Sequence, residues 1–470
     1  MLRLLYNYSM YFYSLYLFIK HKNNNKTNCK HLDRLEKNIY NCGPIGVKLI
    51  QLLIMYDNIL PDTFRNHLNY TLENCKVHSW DTTVKLYYSN FKSHIYDDYE
   101  ININEDNNDK VIGSGSIGQV YKLYSKKLQK YVALKVKHPC IDKEIATFIK
   151  ITNIVIRVFE VFITIPYKNI ICVFLHNINI QKDFIVEAEN TQRFKTNFKD
   201  DTHIIVPEIY EASNDVIIMS YHEGSDISTL HKKQLYPVSQ DINFIILSSI
   251  VVHDFIHADL HTGNWKIQLL DNNAYNIIIY DCGLVTSTNN IELNKNIIFS
   301  LMDGNYDSLY NIALENYIPY KNEKPIIQVN KFKKLNEYIN IITYDSSLLS
   351  SQRYIHFLKY CINNEIIRDK NMINLILTFI ISSNIQTLGL NRQNKILNIN
   401  GENGTKSVII YYTYVLMLHK IKRYKYLHDI LYDYVNTIEN MEYLHAWLYS
   451  TFGHTDVSVY NDIINKLLYI

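Results

Sequence analysis

His257-Ala258-Asp259-Leu260-His261-Thr262-Gly263-Asn264, followed at a distance by Asp281-Cys282-Gly283, is the stretch whose reading decides the fold. An aspartate, an asparagine five positions on and a second aspartate before a glycine are what phosphoryl transfer from a nucleotide requires. One carboxylate sits beside the acceptor hydroxyl, and an amide and a carboxylate hold magnesium against the phosphates. On this reading Asp259 orients or deprotonates the attacking hydroxyl or water, while Asn264 and Asp281 are the metal ligands. Asp and Asn are both common in this chain, so the spacing alone does not decide the matter; the upstream sequence does.

Gly113-Ser114-Gly115-Ser116-Ile117-Gly118-Gln119-Val120 fills the kinase pattern G-x-G-x-x-G-x-V. Glycines reach positive φ without penalty and carry no Cβ, so a hairpin built on them brings backbone N–H groups close to phosphate. Val132-Ala133-Leu134-Lys135-Val136 then matches the V-A-I-K strand, whose lysine pairs with the α and β phosphates. The apolar or small neighbours of Lys135 predict a buried strand with one inward charge. Such a charge needs a carboxylate partner. Glu187 is the candidate, 52 positions after Lys135 on the helical run from Phe184 to Asn190. Glu189 points about 200° away on the same helix, so only one of the two faces the lysine. The apolar stretches Ile151 to Ile165 and Ile170 to Leu175, between Lys135 and Glu187, predict helices inserted into the amino-terminal lobe.

These residues are similar to those of the UbiB/ADCK family of atypical kinases, linked to ubiquinone and other isoprenoid lipids. The resemblance is carried by the "VALKVKHP" strand ending at Pro139, the large insert, the segment from Asp183 to Asn190 and the "HADLHTGN" loop. It extends upstream to an extension like the family's Lys-x-Gly-Gln motif, here Lys48-Leu49-Ile50-Gln51, followed by Asp57 to Pro61. In the family that extension lies over the cleft that would receive a protein substrate. The resemblance implies a bilobal α+β kinase-like fold that uses ATP and Mg2+. Three departures stand out: Ile50 replaces the motif's glycine, Gln181 replaces the glutamate of a Glu-x-Asp pair ending at Asp183, and Gly113 and Gly115 stand where many members have alanine. A β-branched Ile50 and a neutral Gln181, lacking the charge that anchors Lys48, predict an extension docked loosely enough that removing residues before Asn104 changes activity little. The two glycines predict a loop that meets phosphate as an ordinary kinase's does.

The strand Val216 to Tyr221 reads as the hinge where backbone groups meet adenine, so Val120, Ala133, Met219 and Tyr221 join the glycine loop as the candidate nucleotide pocket. Ile242 to Phe255 reads as an apolar helix leading into the catalytic loop, Asn276 to Tyr280 as a short strand delivering Asp281, and Ile291 onward as helix. Cys282 reads as a small apolar side chain behind the metal ligand and His257 as a brace for the loop. The oxygen-rich pair Asn264 and Asp281 favours magnesium over zinc. No Ala-Pro-Glu segment follows, which favours a small-molecule, lipid or ATPase role over broad protein phosphorylation. Two alternatives stay open: a small-molecule phosphotransferase of the aminoglycoside or choline kinase type, and a non-catalytic ATP-binding scaffold.

Composition frames this. The chain has 470 residues, 47% hydrophobic and 20% charged, enough for an apolar segment and linker (1–40), a helical extension (41–105), an amino-terminal lobe (106–225), a carboxy-terminal lobe (226–390) and a helical tail (391–470). A net charge of +2 gives no sign of nucleic-acid binding. Seven cysteines without a C-x2-C pair point to a reducing, intracellular compartment. Leu4 to Ile19 is apolar but shorter than the roughly twenty residues a spanning helix needs. It fits a signal-anchor, a segment lying on a lipid surface, or a helix packed on the protein body. Leu375 to Ile381 and Val408 to Leu418 read as buried helices separated by a loop from Asn391 to Lys406.

Overall fold

Val132, Leu134 and Val136 point to one side of a strand and Ala133, Lys135 and Lys137 to the other, and that period-two alternation organises the first half of the molecule. The computed structural model describes residues 77–102, 107–160, 168–230, 232–270, 274–303, 305–345 and 350–390, with scattered positions between 6 and 49. Ile50, Gln51, the segment Asp57 to Pro61 and everything from residue 391 onward lie outside the described residues.

The chain divides into two units. The first comprises Met1–Gln192, Pro207–His222 and Asp281–Leu284. It holds a five-stranded antiparallel sheet in the order β1-β2-β3-β6-β5, from β1 (Val111–Ser114), β2 (Gly118–Ser125), β3 (Lys130–Lys137), β5 (Ile209–Ala212) and β6 (Val216–Ser220). Helices α1 (Trp80–Phe91) and α2 (Ile95–Asp98) precede it, and α3 (Ile141–Glu160), α4 (Lys168–Gln181) and α5 (Phe184–Asn197) lie between β3 and β5 in the chain. The two inserted helices are thus present; α3 begins ten residues before the apolar run that announced it, because the amphipathic pattern already starts at Ile141 and Ile145.

The sheet has a core on each face. Trp80, Tyr87, Tyr121, Leu134 and Ile218 belong to one cluster, whereas Ala133, Ile217, Met219, Phe148, Phe174 and Phe184 belong to the other. The second cluster also contains Tyr11, Leu35, Ile39, Ile45 and Leu49, all at most 1% exposed. The extension therefore buries apolar side chains in the same core as the sheet, and the expectation of loose docking is corrected. That burial rests on residues before the motif and on Leu49 within it. The buried Tyr11 and Ser14 fit the reading of the first segment as packed on the protein body. Among the described residues no helix is long and apolar enough to cross a membrane.

The second unit comprises Arg193–Val206, Glu223–Tyr280 and Val285–Ile470. Its sheet has the order β4-β9-β8, from β4 (Ile204–Ile205), β8 (Trp265–Leu269) and β9 (Tyr275–Ile279), and β7 (Ile256–His257) pairs with β10 (Val285–Thr286). The helices are α6 (Lys232–Val251), α7 (Ile291–Asp303), α8 (Tyr306–Glu315), α9 (Pro325–Tyr344), α10 (Ser350–Asn363) and α11 (Lys370–Leu390). Helix α6 packs along α11, whose Ile373, Leu375, Ile376 and Ile380 are buried. The expected helix Ile242 to Phe255 is corrected at both ends. It starts at Lys232, and it stops at Val251 because Asp254 takes a left-handed conformation (φ 41°) and the Phe255 N–H turns back to the Ser249 carbonyl.

Candidate active site

In the first unit the register of the sheet gathers the predicted nucleotide pocket on one face. Val120 stands opposite Lys135, Ala133 opposite Met219 and Lys135 opposite Ile217, and residues paired across strands point the same way. Tyr221, just beyond β6, lies under the Lys122 ammonium at 4.3 Å from its ring centre. Gly113 and Ser114 end β1, Gly115 and Ser116 form the turn and Gly118 opens β2, with the Gly115 N–H donating to the Gly118 carbonyl at 2.9 Å. Only Gly118 is sterically required. A Cβ there would lie 2.7 Å from the Val136 carbonyl oxygen, whereas one on Gly113 would meet nothing within 4 Å and one on Gly115 only the Gly118 carbonyl at 3.8 Å. None of the three has a φ in the left-handed region. Close approach between β2 and β3, rather than left-handed backbone, explains the last glycine of the motif.

Lys135 is 8% exposed and donates to Glu187 Oε1 at 2.5 Å and to Asp281 Oδ2 at 3.2 Å. Glu187 is 3% exposed on α5, and Glu189 is turned to solvent, as the helical period requires. Two carboxylates thus share one ammonium. Burial alone would lower the Lys135 pKa, but the charges of Asp281 and Glu187 overcome it and hold the lysine above its ordinary value. Burial lifts Glu187 to about 7, against the pull of Lys135 and with the push of Asp281. Asp281 keeps 43% of its side chain open. Burial opposes its ionisation, yet the charges of Lys135 and Lys48 and the Gly283 N–H hold its carboxyl well below the usual range.

The Asp281 backbone is left-handed (φ 53°), a conformation disfavoured for a side chain with a Cβ and found where a site fixes a residue. Its Oδ1 accepts from the Gly283 N–H at 3.2 Å. A Cβ on Gly283 would sit 3.0 Å from Asp281 Oδ1 and 3.5 Å from Glu187 Oε2, so a side chain there would press on the Asp281 carboxylate. Asn190, one turn after Glu187, donates to the Cys282 carbonyl at 3.1 Å. Cys282 is fully buried, and burial pushes its thiol up, which makes it an apolar filler.

Two expectations about charge change. The strand carries two inward lysines, since Lys137 is also buried, 3.3 Å from Asp215 and 3.8 Å from Asp142, and the Phe184 ring lies 5.2 Å from the Lys135 ammonium and 5.3 Å from that of Lys137. Gln181 does anchor Lys48, accepting from its ammonium at 2.8 Å, because an amide oxygen, though uncharged, is still an acceptor. Asp183 spends its carboxylate capping α5, where Oδ1 accepts from the N–H groups of Ile185 at 3.1 Å and Val186 at 3.3 Å.

In the second unit the segment from His257 to Asn264 is tied to itself. The Asp259 N–H donates to His257 Nδ1 at 3.3 Å, so His257 braces the loop. Asn264 Nδ2 donates to the Asp259 carbonyl at 2.7 Å, and the Tyr280 N–H, one residue before Asp281, donates to the Asn264 carbonyl at 2.8 Å. His261 closes the turn by accepting from the Gly263 N–H at 3.0 Å. The residues after Gly283 are pinned by Asp254, which accepts from Ser287 Oγ at 2.6 Å, from the Thr288 N–H at 3.0 Å and from Asn294 Nδ2 at 2.9 Å. Asp254 carries no motif and Asn190 falls at the end of the Asp183 to Asn190 segment; sequence reasoning did not single out what either holds.

Residues 75–313, just over half of the chain, match the ABC1 atypical kinase-like domain. The chain belongs to this family, the UbiB/ADCK atypical kinases. AarF domain-containing kinase 1 of Drosophila melanogaster is 27% identical over 37% of this chain and 35% of that protein. A mitochondrial ABC1 family protein of Saccharomyces cerevisiae is 27% identical over 61% of this chain and 47% of that one. A probable protein kinase UbiB of Histophilus somni is 25% identical over 58% of this chain and 52% of that protein. The chain thus spans between a third and a half of these curated relatives' lengths, and the ABC1 match accounts for the bilobal kinase-like α+β fold.

Proposed function

We propose that this ABC1 chain binds magnesium-ATP and uses it for phosphoryl transfer or hydrolysis. The observation that carries the reading is the buried ammonium of Lys135 held between Glu187 and Asp281. A cation at this depth needs a reason, and replacing such a group by an apolar one is often neutral or stabilising, so stability does not account for it. It is explained by an anionic ligand that Lys135 meets once bound. The residues fit the group. Lys135 would take the phosphates, with Glu187 fixing its position, and the ionised Asp281 is a hard oxygen ligand of the kind magnesium prefers. Asn264 would supply the second ligand, and Asp259 would orient or deprotonate the acceptor. Val120, Ala133 and Met219 offer an apolar face for a purine, with Tyr221 at its edge. Magnesium supplies neutralisation of the charge that develops on the transferring phosphoryl group.

Family resemblance points to an acceptor in lipid or isoprenoid-quinone chemistry, and the pinned segment after Gly283 supports a small or lipid acceptor over a peptide laid along a docking platform. The test is binding of Mg-ADP to the full chain beside Lys135→Met. The reading expects saturable, magnesium-dependent binding that the substitution weakens at least tenfold; equal binding by the two proteins, or none by either, counts against it.

A further inference from the structure

Val77 and His78 precede α1, and His138 follows β3, and the two histidines meet. Their Nδ1 atoms are 2.9 Å apart, His78 Nε2 lies 2.9 Å from Thr83 Oγ1, and His138 Nε2 lies 3.1 Å from the Gly115 carbonyl oxygen. Thr83 Oγ1 is in turn 2.8 Å from the Tyr121 hydroxyl, to which Gln119 Nε2 donates. Gln119, fully buried, also grips the backbone of His78, accepting from its N–H at 2.8 Å and donating to its carbonyl at 3.2 Å.

The direction of every bond in this chain follows from its two ends. A carbonyl only accepts, so His138 must carry its proton on Nε2 and leave Nδ1 as acceptor. His78 then donates from Nδ1 and accepts at Nε2, Thr83 donates to His78, and Tyr121 donates to Thr83. The Gln119 amide group, which only donates, closes the other end. Both rings are neutral in this arrangement; a proton added at His138 Nδ1 would face the His78 Nδ1–H, and one added at His78 Nε2 would face the donating Thr83 hydroxyl. Burial lowers both histidines' pKa values, and the neighbouring ring adds to this for His78 while the Gly115 carbonyl opposes it for His138. Of the titratable groups on the surrounding elements, Tyr121 faces the chain as a donor. Lys137 is turned to Asp142 and Asp215, and Asp81, Lys85 and Cys140 are exposed.

The chain ends on the glycine loop. Gly115 is held at both backbone groups, its N–H by Gly118 and its carbonyl by His138. Its side chain supplies no restraint, and nothing crowds the space where a Cβ would lie. We propose that His138 is a positioning residue for the nucleotide, holding the turn from Gly113 to Gly118 through the Gly115 carbonyl, and that His78, Thr83, Tyr121 and Gln119 lock it in the one tautomer that does so. The segment before α1 is thereby wired to the loop that meets phosphate. This role rests on the nucleotide reading above.

The test uses the full-length protein with His138→Phe, which keeps the ring volume, and His138→Gln, which keeps an N–H donor. His138→Phe should raise the Mg-ADP dissociation constant and the KM for ATP about five- to tenfold with kcat within about twofold, and His138→Gln should restore both to within about twofold of the unmodified chain. A wild-type chain that binds no Mg-ADP overturns the nucleotide reading and this role with it. Binding that persists unchanged in His138→Phe, or that is lost equally in both variants, overturns the role alone. Nitrogen-15 NMR of the wild-type imidazoles reads the wiring without any substitution. His138 should be the Nε2–H tautomer and His78 the Nδ1–H tautomer at neutral pH, and protonated rings or the opposite tautomers overturn the proposal.

Discussion

At the scale of single residues, the site is defined by what surrounds Lys135. Its two carboxylate partners are unequal: Glu187 is buried and lifted toward neutrality, while Asp281 is half-open and stays ionised. Asp281→Asn removes the ionised oxygen and keeps the shape, so magnesium-dependent turnover should fall at least a hundredfold in a chain whose thermal melt is little changed; this is checked by steady-state assay beside calorimetry. The glycines separate in the same way. Gly118→Ala forces a Cβ against the Val136 carbonyl and should destabilise by about 1–3 kcal/mol, whereas Gly113→Ala should shift stability by less than about 1 kcal/mol. Denaturant midpoints of the two variants decide it. The pattern G-x-G-x-x-G was readable in the sequence, but which glycine it needs was not, because that depends on how closely β2 approaches β3.

At the scale of elements, the legible parts were those with strong periodicity or a short motif. The alternation of β3 is where the pattern put it, the expected strands Val216 to Tyr221 and Asn276 to Tyr280 appear within a residue as Val216–Ser220 and Tyr275–Ile279, and the helix carrying Glu187 starts at Phe184 as expected but runs on to Asn197. Boundaries were less legible. Helix α6 begins among polar residues and ends at the Asp254 turn, neither of which interrupts or extends an apolar run. Long-range polar bonds were mostly illegible: Lys135 to Glu187 was expected, but Lys48 to Gln181, 133 positions apart, was expected to be missing, and Asn190 to Cys282 and His78 to His138, 92 and 60 apart, were not foreseen. The histidine pair has a pH consequence. His78, lowered to about 4, is folded in its neutral form, so its contribution to stability is complete above its ordinary value of 6.5 and is lost as pH falls from there toward 4. Unfolding free energy measured across that interval should decline with falling pH, and less steeply in His78→Gln. Asp254 makes a parallel case in the second unit. Asp254→Ala strands the Thr288 N–H and the Asn294 amide and should cost about 1–3 kcal/mol, which hydrogen exchange localised to the segment after Gly283 would report.

At the scale of the whole chain, the extension is part of the structure it was expected to lie on. Tyr11, Leu35, Ile39, Ile45 and Leu49 share a core with Ala133, Phe184 and Met219. Removing residues 1–76 should therefore lower the melting temperature and cut nucleotide binding, rather than leave the remainder unaffected. The family assignment was legible because its motifs are short and local. The docking of the extension was not, since it follows from burial spread over some forty residues. All of this turns on one claim, that the buried Lys135 serves magnesium-ATP. The most direct measurement is ATP turnover by the full-length protein with and without magnesium, beside Asp259→Asn and Asp281→Asn. The account predicts magnesium-dependent turnover that both substitutions abolish; turnover that survives Asp281→Asn, or that proceeds equally without magnesium, would contradict it.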